Sequence, residues 1–207
     1  DTGFWDTFRS LFPFLTLMYP EMDRQMMQGM VNTYKESGWL PEWATPGHRA
    51  TMIGSNSASV ITDAYTKGIR GFDINTLYEA LMKNTEQQGP LNTLGRNGVK
   101  EYNTLGYVPV DKYGGSAAKT LEFAYADFCL RNLSSLLKKP EDQIKKFEQR
   151  ALNYKNIFDP KHNLMRGRNT DGSFQNKFNP CVHHTLIHPC LRLASILSFC
   201  RKRDEFA

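Results

Sequence analysis

Residues 10–37 read SLFPFLTLMYPEMDRQMMQGMVNTYKES, and the way Pro20 divides that stretch decides the fold class. The run before it predicts a helix from about Ser10 to Tyr19. Ser10 is available as N-cap, and Pro13 falls in the first turn, where its missing N–H has no intrahelical partner to lose. The run after Pro20 predicts a second helix to about Ser37, with Met22, Met26, Met30 and Tyr34 at i, i+4 spacing on one face. A link as short as MYPEMD can join two helices only as an antiparallel hairpin.

The same punctuation recurs outward from this hairpin. A third helix is expected from near Ser57, carrying Val60, Ile61, Ala64 and Tyr65, and a fourth from about Asp73 to Asn84, carrying Leu77, Tyr78 and Leu81. A fifth spans roughly Lys119 to Leu137 and is apolar on more than one side. A sixth starts at Pro140 and places Ile144, Phe147, Ala151 and Tyr154 on one stripe. KGIRGFD and KKPED are short links like the first, whereas residues 38–56, 85–118 and 159–180 are long ones. No strand pattern stands out, so the fold class is all-α. The first, third and fifth helices are more apolar all round than the second, fourth and sixth. That alternation, with every long loop at one end, predicts about three hairpins of a partial α/α toroid with a pocket at its mouth. An α-solenoid is the alternative for repeated hairpins, and the uneven loop lengths argue against it.

Composition narrows the function classes. The chain has 207 residues, 40% hydrophobic and 12% aromatic, enough to bury one sizeable core. The net charge of +5 is dispersed rather than gathered in a run, which gives no nucleic-acid footprint. No apolar stretch approaches the roughly 20 residues needed to cross a bilayer. The start at Asp1 lacks a charged segment followed by an apolar one, as expected for a chain whose signal was removed or for an internal piece of a longer one.

Residues 3–13, GFWDTFRSLFP, place Trp5, Asp6 and Arg9 directly before the first inner helix. Polar groups at such a mouth can bind hydroxyls, and Trp5, with Trp39 and Trp43 in GWLPEWATPGHR, offers flat apolar faces. Both are what a sugar ring needs, its edges being polar and its faces rich in C–H. The same residues are equally compatible with an ordinary Asp6–Arg9 ion pair and tryptophans that only pack. Asp63 reads as a cap on a neighbouring helix end, Cys129 as a small buried apolar residue, and the Asn132-Leu-Ser134 triplet, inside a predicted helix, as a chance match to a glycosylation site.

The runs FWDTFRSLFPFLTLMYP, GWLPEWATPGHRATMIGSNSASVITDAYTKGI, LEFAYADFC, RALNYKNIFDP, LMRGRNTDGSFQ and FNP, in that order, closely resemble glycoside hydrolase family 92, the exo-acting α-mannosidases. The resemblance implies roughly the first half of an (α/α)6 catalytic toroid over residues 1–180. Its implied partners are the rest of that toroid and an N-terminal β-sandwich. It also implies calcium-dependent inverting hydrolysis of terminal α-linked mannose on N-glycans or mannans, and export from the cell. By that likeness Trp5, Asp6 and Arg9 line the mannose pocket, and Trp43, Asn56, Arg166 and Arg168 are further candidates.

One departure bears on chemistry. Inversion needs a general acid and a water-activating base roughly 6.5–9.5 Å apart. The family acid is a glutamate in an EGN-W stretch soon after FNP. Here no carboxylate occurs between Asp171 and Asp204, and the family base would lie further on. No catalytic residue or calcium ligand is therefore carried over, and the chain is expected to be inactive by itself. From Cys181 the composition shifts. Cys181, His183, His184, His188 and Cys190 could offer zinc ligands but match no standard module, and residues 181–207 read instead as a tail foreign to the fold. The non-catalytic alternatives are a carbohydrate-binding module and an α-solenoid interaction protein.

Overall fold

The computed structural model describes residues 2–45, 47–49, 51–91 and 94–176. The reading of residues 181–207, as zinc ligands or as a foreign tail, lies outside them. A two-residue strand β1 (Thr2–Gly3) leads into a helical turn α1 (Phe4–Thr7). The helices α2 (Leu11–Met18), α3 (Pro20–Ser37), α4 (Ser57–Thr66), α5 (Ile74–Glu86), α6 (Val99–Leu105), α7 (Ser116–Leu136) and α8 (Glu141–Arg150) follow, with β2 (Trp43–Ala44) between α3 and α4. A 3-10 turn over Asn153–Ile157 and the strand pair β3 (Phe158–Asp159) and β4 (Leu164–Met165) come last.

Local chemistry sets these boundaries. Pro20 occupies the first turn of α3, where a proline ring fits. Gly38, at φ 75°, ends that helix in the left-handed conformation that glycine adopts without strain, and its N–H bonds the Tyr34 carbonyl at 2.8 Å. Asp73 caps α5 by accepting from the Thr76 N–H at 3.1 Å. Ser10 does stand at the N-cap of α2, but its side chain makes no capping bond.

The helices pack in two rows. α2 lies against α4 and α4 against α7. α3 packs on both α2 and α5, while α8 packs on α7 and reaches α5 through Lys146 to Glu86 at 2.8 Å. The inner row is the α2, α4, α7 series, as the composition of those helices predicted, and the whole is a partial (α/α)6 toroid. Met27, Val31, Ile61, Leu77, Leu130, Leu133 and Phe147 form the centre of the core, and burying each contributes about 1.5–3 kcal/mol. A second cluster of Tyr107, Ala117, Leu121, Ile157 and Met165 fastens the C-terminal loop to the start of α7.

Several expectations are corrected. The buried stripe of α3 is Asp23, Met27, Met30 and Val31, while Met22 and Met26 are exposed. The i, i+4 row of methionines thus straddles the edge of the contact face rather than defining it. α7 starts at Ser116 instead of Lys119, because Ala117 and Ala118 extend the helix into the core. α8 stops at Arg150, leaving Tyr154 in the 3-10 turn. Asp63 caps no helix end among the described residues and instead pairs with Lys67 one turn on, at 2.8 Å. α6, unforeseen inside the 85–118 loop, is bracketed by Gly98 and Gly106, both at positive φ. Cys129 is a buried free thiol, and Ser134 of the glycosylation-like triplet is buried and bonded to the Tyr78 hydroxyl at 2.8 Å.

Candidate functional site

β1 and β2 pair antiparallel, with Gly3 opposite Trp43. That pairing brings the chain start and the 38–56 loop to the same end of the inner row. Gly3 must be glycine here, because a Cβ would lie 2.9 Å from the Trp43 ring and 3.1 Å from the Met52 methyl. The Phe4 N–H extends the contact by donating to the Glu42 carbonyl at 3.1 Å. The Glu42 side chain in turn sits at the N-terminus of α4, accepting from Ser57 N–H at 3.1 Å and Ser57 Oγ at 2.7 Å. Two buried carboxylates therefore anchor the mouth, Glu42 on the loop and Glu122 in the second turn of α7.

Glu122 joins the candidate residues. Its Oε1 accepts from the Trp5 indole N–H at 3.0 Å and faces Arg9 Nη2 at 3.6 Å. The Arg9 guanidinium lies over the Trp5 ring at 4.9 Å and the Phe8 ring at 4.4 Å, a cation–π arrangement that holds the three side chains in one stack. Burial pushes the Glu122 carboxyl up to about 7 against the opposing pull of Arg9 and the Trp5 bond. Glu42 is also pushed up to about 7 by burial, with the Ser57 bonds, the Asn56 backbone and Arg96 acting against it.

The Asp6–Arg9 ion pair weighed from the sequence does not form. Arg9 turns to Glu122, and Asp6 is exposed on the α1 turn. Trp5 and Asp6 belong to that turn rather than to a loop, and Arg9 follows it. Trp43 is half-buried, with the Arg49 guanidinium 5.8 Å from its ring centroid. Asn56 reaches the same neighbourhood but is buried, its amide donating to the Ile53 carbonyl at 3.1 Å. Trp39 serves elsewhere, under Lys83 at 4.3 Å and against Gly89 and Gly95.

Arg166 and Arg168 are held by their own loop. Arg166 is buried and pairs with Asp159, beside His162. Burial raises the Asp159 carboxyl, but the bonds from His162, Arg166 and the Lys161 backbone outweigh it and hold it at about 2. Arg168 donates to the carbonyls of Gly172 at 2.8 Å and Asn156 at 2.9 Å. Their segment touches the start of α7 through Gly167, where a Cβ would lie 3.2 Å from Ser116 Oγ.

The geometry thus brings Trp5 and Arg9 together on Glu122 and sets Trp43 opposite Gly3, with Asp6 exposed on the same turn as Trp5 and Asn56 close to Glu122 around Gly54, while Arg166 and Arg168 are held by their own loop. Glu122 and Glu42 escaped the sequence reading. The signal for Glu122 was an acid inside the apolar run LEFAYADFC, since a core-facing carboxylate requires partners. A partly exposed indole beside an exposed carboxylate can stack on a C–H face and accept hydroxyl hydrogen bonds.

Comparison with known proteins gives concordant results. The profile of the glycosyl hydrolase family 92 catalytic domain matches residues 1–194, a span that runs past Pro180. A family 92 inverting mannosidase of Bacteroides thetaiotaomicron superposes with a TM-score of 0.83 at 41% identity, covering 86% of this chain and 24% of that one. A second family 92 α-mannosidase of the same organism superposes at 0.78 and 35% identity, with the same coverage of 86% and 24%; it has also been solved with mannoimidazole. An uncharacterized secreted glycosidase of Arthroderma benhamiae is 34% identical over 140 residues, 62% of this chain and 18% of that protein. The chain therefore spans about a quarter of the length of these solved mannosidases and less than a fifth of the fungal relative.

Proposed function

The chain belongs to glycosyl hydrolase family 92, and from that premise we propose that it forms the mannose-holding wall of an exported, inverting exo-α-mannosidase acting on terminal α-linked mannose of N-glycans or mannans. The observation that carries this reading is the mouth itself: Trp5 and Arg9 fixed on Glu122, with Asp6 exposed beside them and Trp43 across the β1–β2 pair. Export is supported by the name of the fungal relative, a secreted glycosidase. Among the described residues no helix is long and apolar enough to cross a membrane.

In this mechanism the chain binds and orients. The Trp5 face stacks on the sugar ring, Asp6 accepts hydrogen bonds from ring hydroxyls, and Arg9 places positive charge beside them. Glu122 is not the missing general acid, because it is buried and engaged by Trp5 and Arg9. Asp6 is exposed, which suits it to accept hydroxyl hydrogen bonds. Calcium, implied by the family, would bind substrate hydroxyls. The buried carboxylates at the mouth are taken up by Trp5, Arg9 and Ser57, so no calcium ligand is assigned to them.

The test is a pair of measurements on this chain with calcium present. Release from an aryl α-mannoside is expected to stay at background, because each missing acid or base group removes about 10²–10⁴ in rate. Methyl α-mannoside is expected to perturb tryptophan fluorescence weakly, and Asp6→Asn to reduce that response. Turnover abolished by Asp6→Asn would make Asp6 catalytic and overturn the reading. Binding without turnover is also what a non-catalytic sugar-binding module would show, and a protein in which this chain is joined to the rest of a toroid separates the two.

A further inference from the structure

We propose that Glu122 is a positioning residue of the mouth, which sets affinity for a terminal mannoside through Trp5 and Arg9 without touching the sugar. The inference rests on the mannose reading above. Glu122 is only 5% exposed, and one of its oxygens, Oε1, takes both the Trp5 indole bond and the Arg9 contact. Its other oxygen, Oε2, is buried and has no hydrogen-bond partner among the described residues, as is the case for Arg9 Nη1.

That arrangement is poor as a stabilising device. A carboxylate taken out of water is destabilising unless its lone pairs are well satisfied, and among the described residues it receives one neutral donor and a loose ion pair at 3.6 Å. The 38–56 loop closes over the same spot. Gly54 sits at φ +99°, which glycine adopts without strain, and the backbone lies so near that a Cβ there would come within 3.0 Å of Glu122 Cβ and 2.7 Å of the Asn56 amide. The cost of the buried carboxylate thus falls on the group that orients the aromatic face and the cation of the mouth. Glu42, the other buried carboxylate nearby, shows the contrast: Ser57 bonds both of its oxygens and it fastens a helix end. The 117-residue separation of Trp5 and Glu122 further means that the indole is locked only when the inner row is assembled.

The experiment uses the whole chain with methyl α-mannoside as probe and two readouts, affinity and the indole N–H resonances of its three tryptophans. The Trp5 signal is assigned with Trp5→Phe. Glu122→Ala is expected to shift the Trp5 signal and weaken binding about tenfold. Glu122→Gln, which keeps an oxygen acceptor for the indole but loses the charge, should leave that signal in place and lose only about threefold. Glu79→Gln, at an exposed carboxylate on α5 that accepts from the Tyr34 hydroxyl at 3.0 Å, should leave both readouts unchanged.

A shifted Trp5 signal with unchanged affinity in Glu122→Ala overturns the assignment, as does an equal loss from Glu79→Gln. If Glu122→Ala does not fold, Glu122→Gln decides: the threefold loss upholds the proposal and unchanged affinity refutes it. No mannoside response in the wild-type chain removes the mannose reading together with this one, whereas wild-type binding that survives in Glu122→Ala removes this one alone.

Discussion

Asp127 in α7 is fully buried and receives Arg96 at 2.7 Å, Arg150 at 2.9 Å and the Tyr102 hydroxyl at 3.0 Å. Arg96 is 1% exposed, so removing the carboxylate would leave a guanidinium uncompensated in the core. Asp127→Asn is therefore expected to lower the unfolding free energy by about 3–5 kcal/mol in urea denaturation, and a loss under about 1 kcal/mol would show that the network carries little. Asp127 and Glu122 both lie in LEFAYADFC, and they show where sequence reading stops at this scale. That a buried acid needs a partner is deducible from the run itself. Which partner it finds is not, since Arg96, Arg150 and Trp5 sit on other elements and only tertiary packing brings them in. Trp5, Asp6 and Arg9 are close in the chain, yet even there the pairing of Arg9 goes to Glu122 instead of Asp6.

The elements themselves were more legible, because periodicity and punctuation are local. Pro20, Gly38 and Asp73 mark their helix ends through backbone chemistry that needs no distant partner. The stripe on α3 was misplaced because Met22 and Met26 are as apolar as Met27 and Met30, and only the packing of α2 and α5 decides which are covered. Element ends also carry a pH dependence. Glu42, at the start of α4, and Glu122, in the second turn of α7, both titrate at about 7 when folded, against about 4.3 in an unfolded chain. Asp23, in the first turn of α3, is raised to about 6, chiefly by burial and then by Asp63, with Lys67 acting against. A raised carboxyl means that the folded state holds more protons between the two values. Its contribution is complete below the unfolded pKa and is lost as pH rises through the folded one. Asp159, held at about 2, acts oppositely but only under about pH 4. The melting temperature is thus expected to be higher at pH 5 than at pH 7.5, and the Glu42→Gln, Glu122→Gln double variant should flatten that slope. A melting temperature that rises steadily from pH 5 to pH 7.5 would contradict the assignment.

At the scale of the whole molecule, the two-row packing leaves one side of the first hairpin uncovered. Leu11, Phe14, Leu17, Met18 and Tyr19 on and just after α2 are 42%, 50%, 77%, 56% and 51% exposed, and Met22 and Met26 on α3 are 48% and 40% exposed. α2 is an inner helix by its place against α4, and α3 packs on it from outside. In a closed toroid an inner helix meets a neighbour on each side, whereas among the described residues α2 meets α4 on one side only. Phe14 and Tyr19 pack edge to face at 5.8 Å, so the exposed residues are grouped rather than scattered. Contiguous apolar surface beyond a few hundred Å² drives association in water, and the net charge of +5 is too small and too dispersed to oppose it at physiological salt. This chain is accordingly expected to self-associate at micromolar concentration. Phe14→Gln together with Leu17→Lys should shift sedimentation velocity toward the monomer and leave the helical circular dichroism unchanged, because neither side chain is in the core. A wild-type chain that sediments as a monomer across that range would show that the α2 face is tolerated in water.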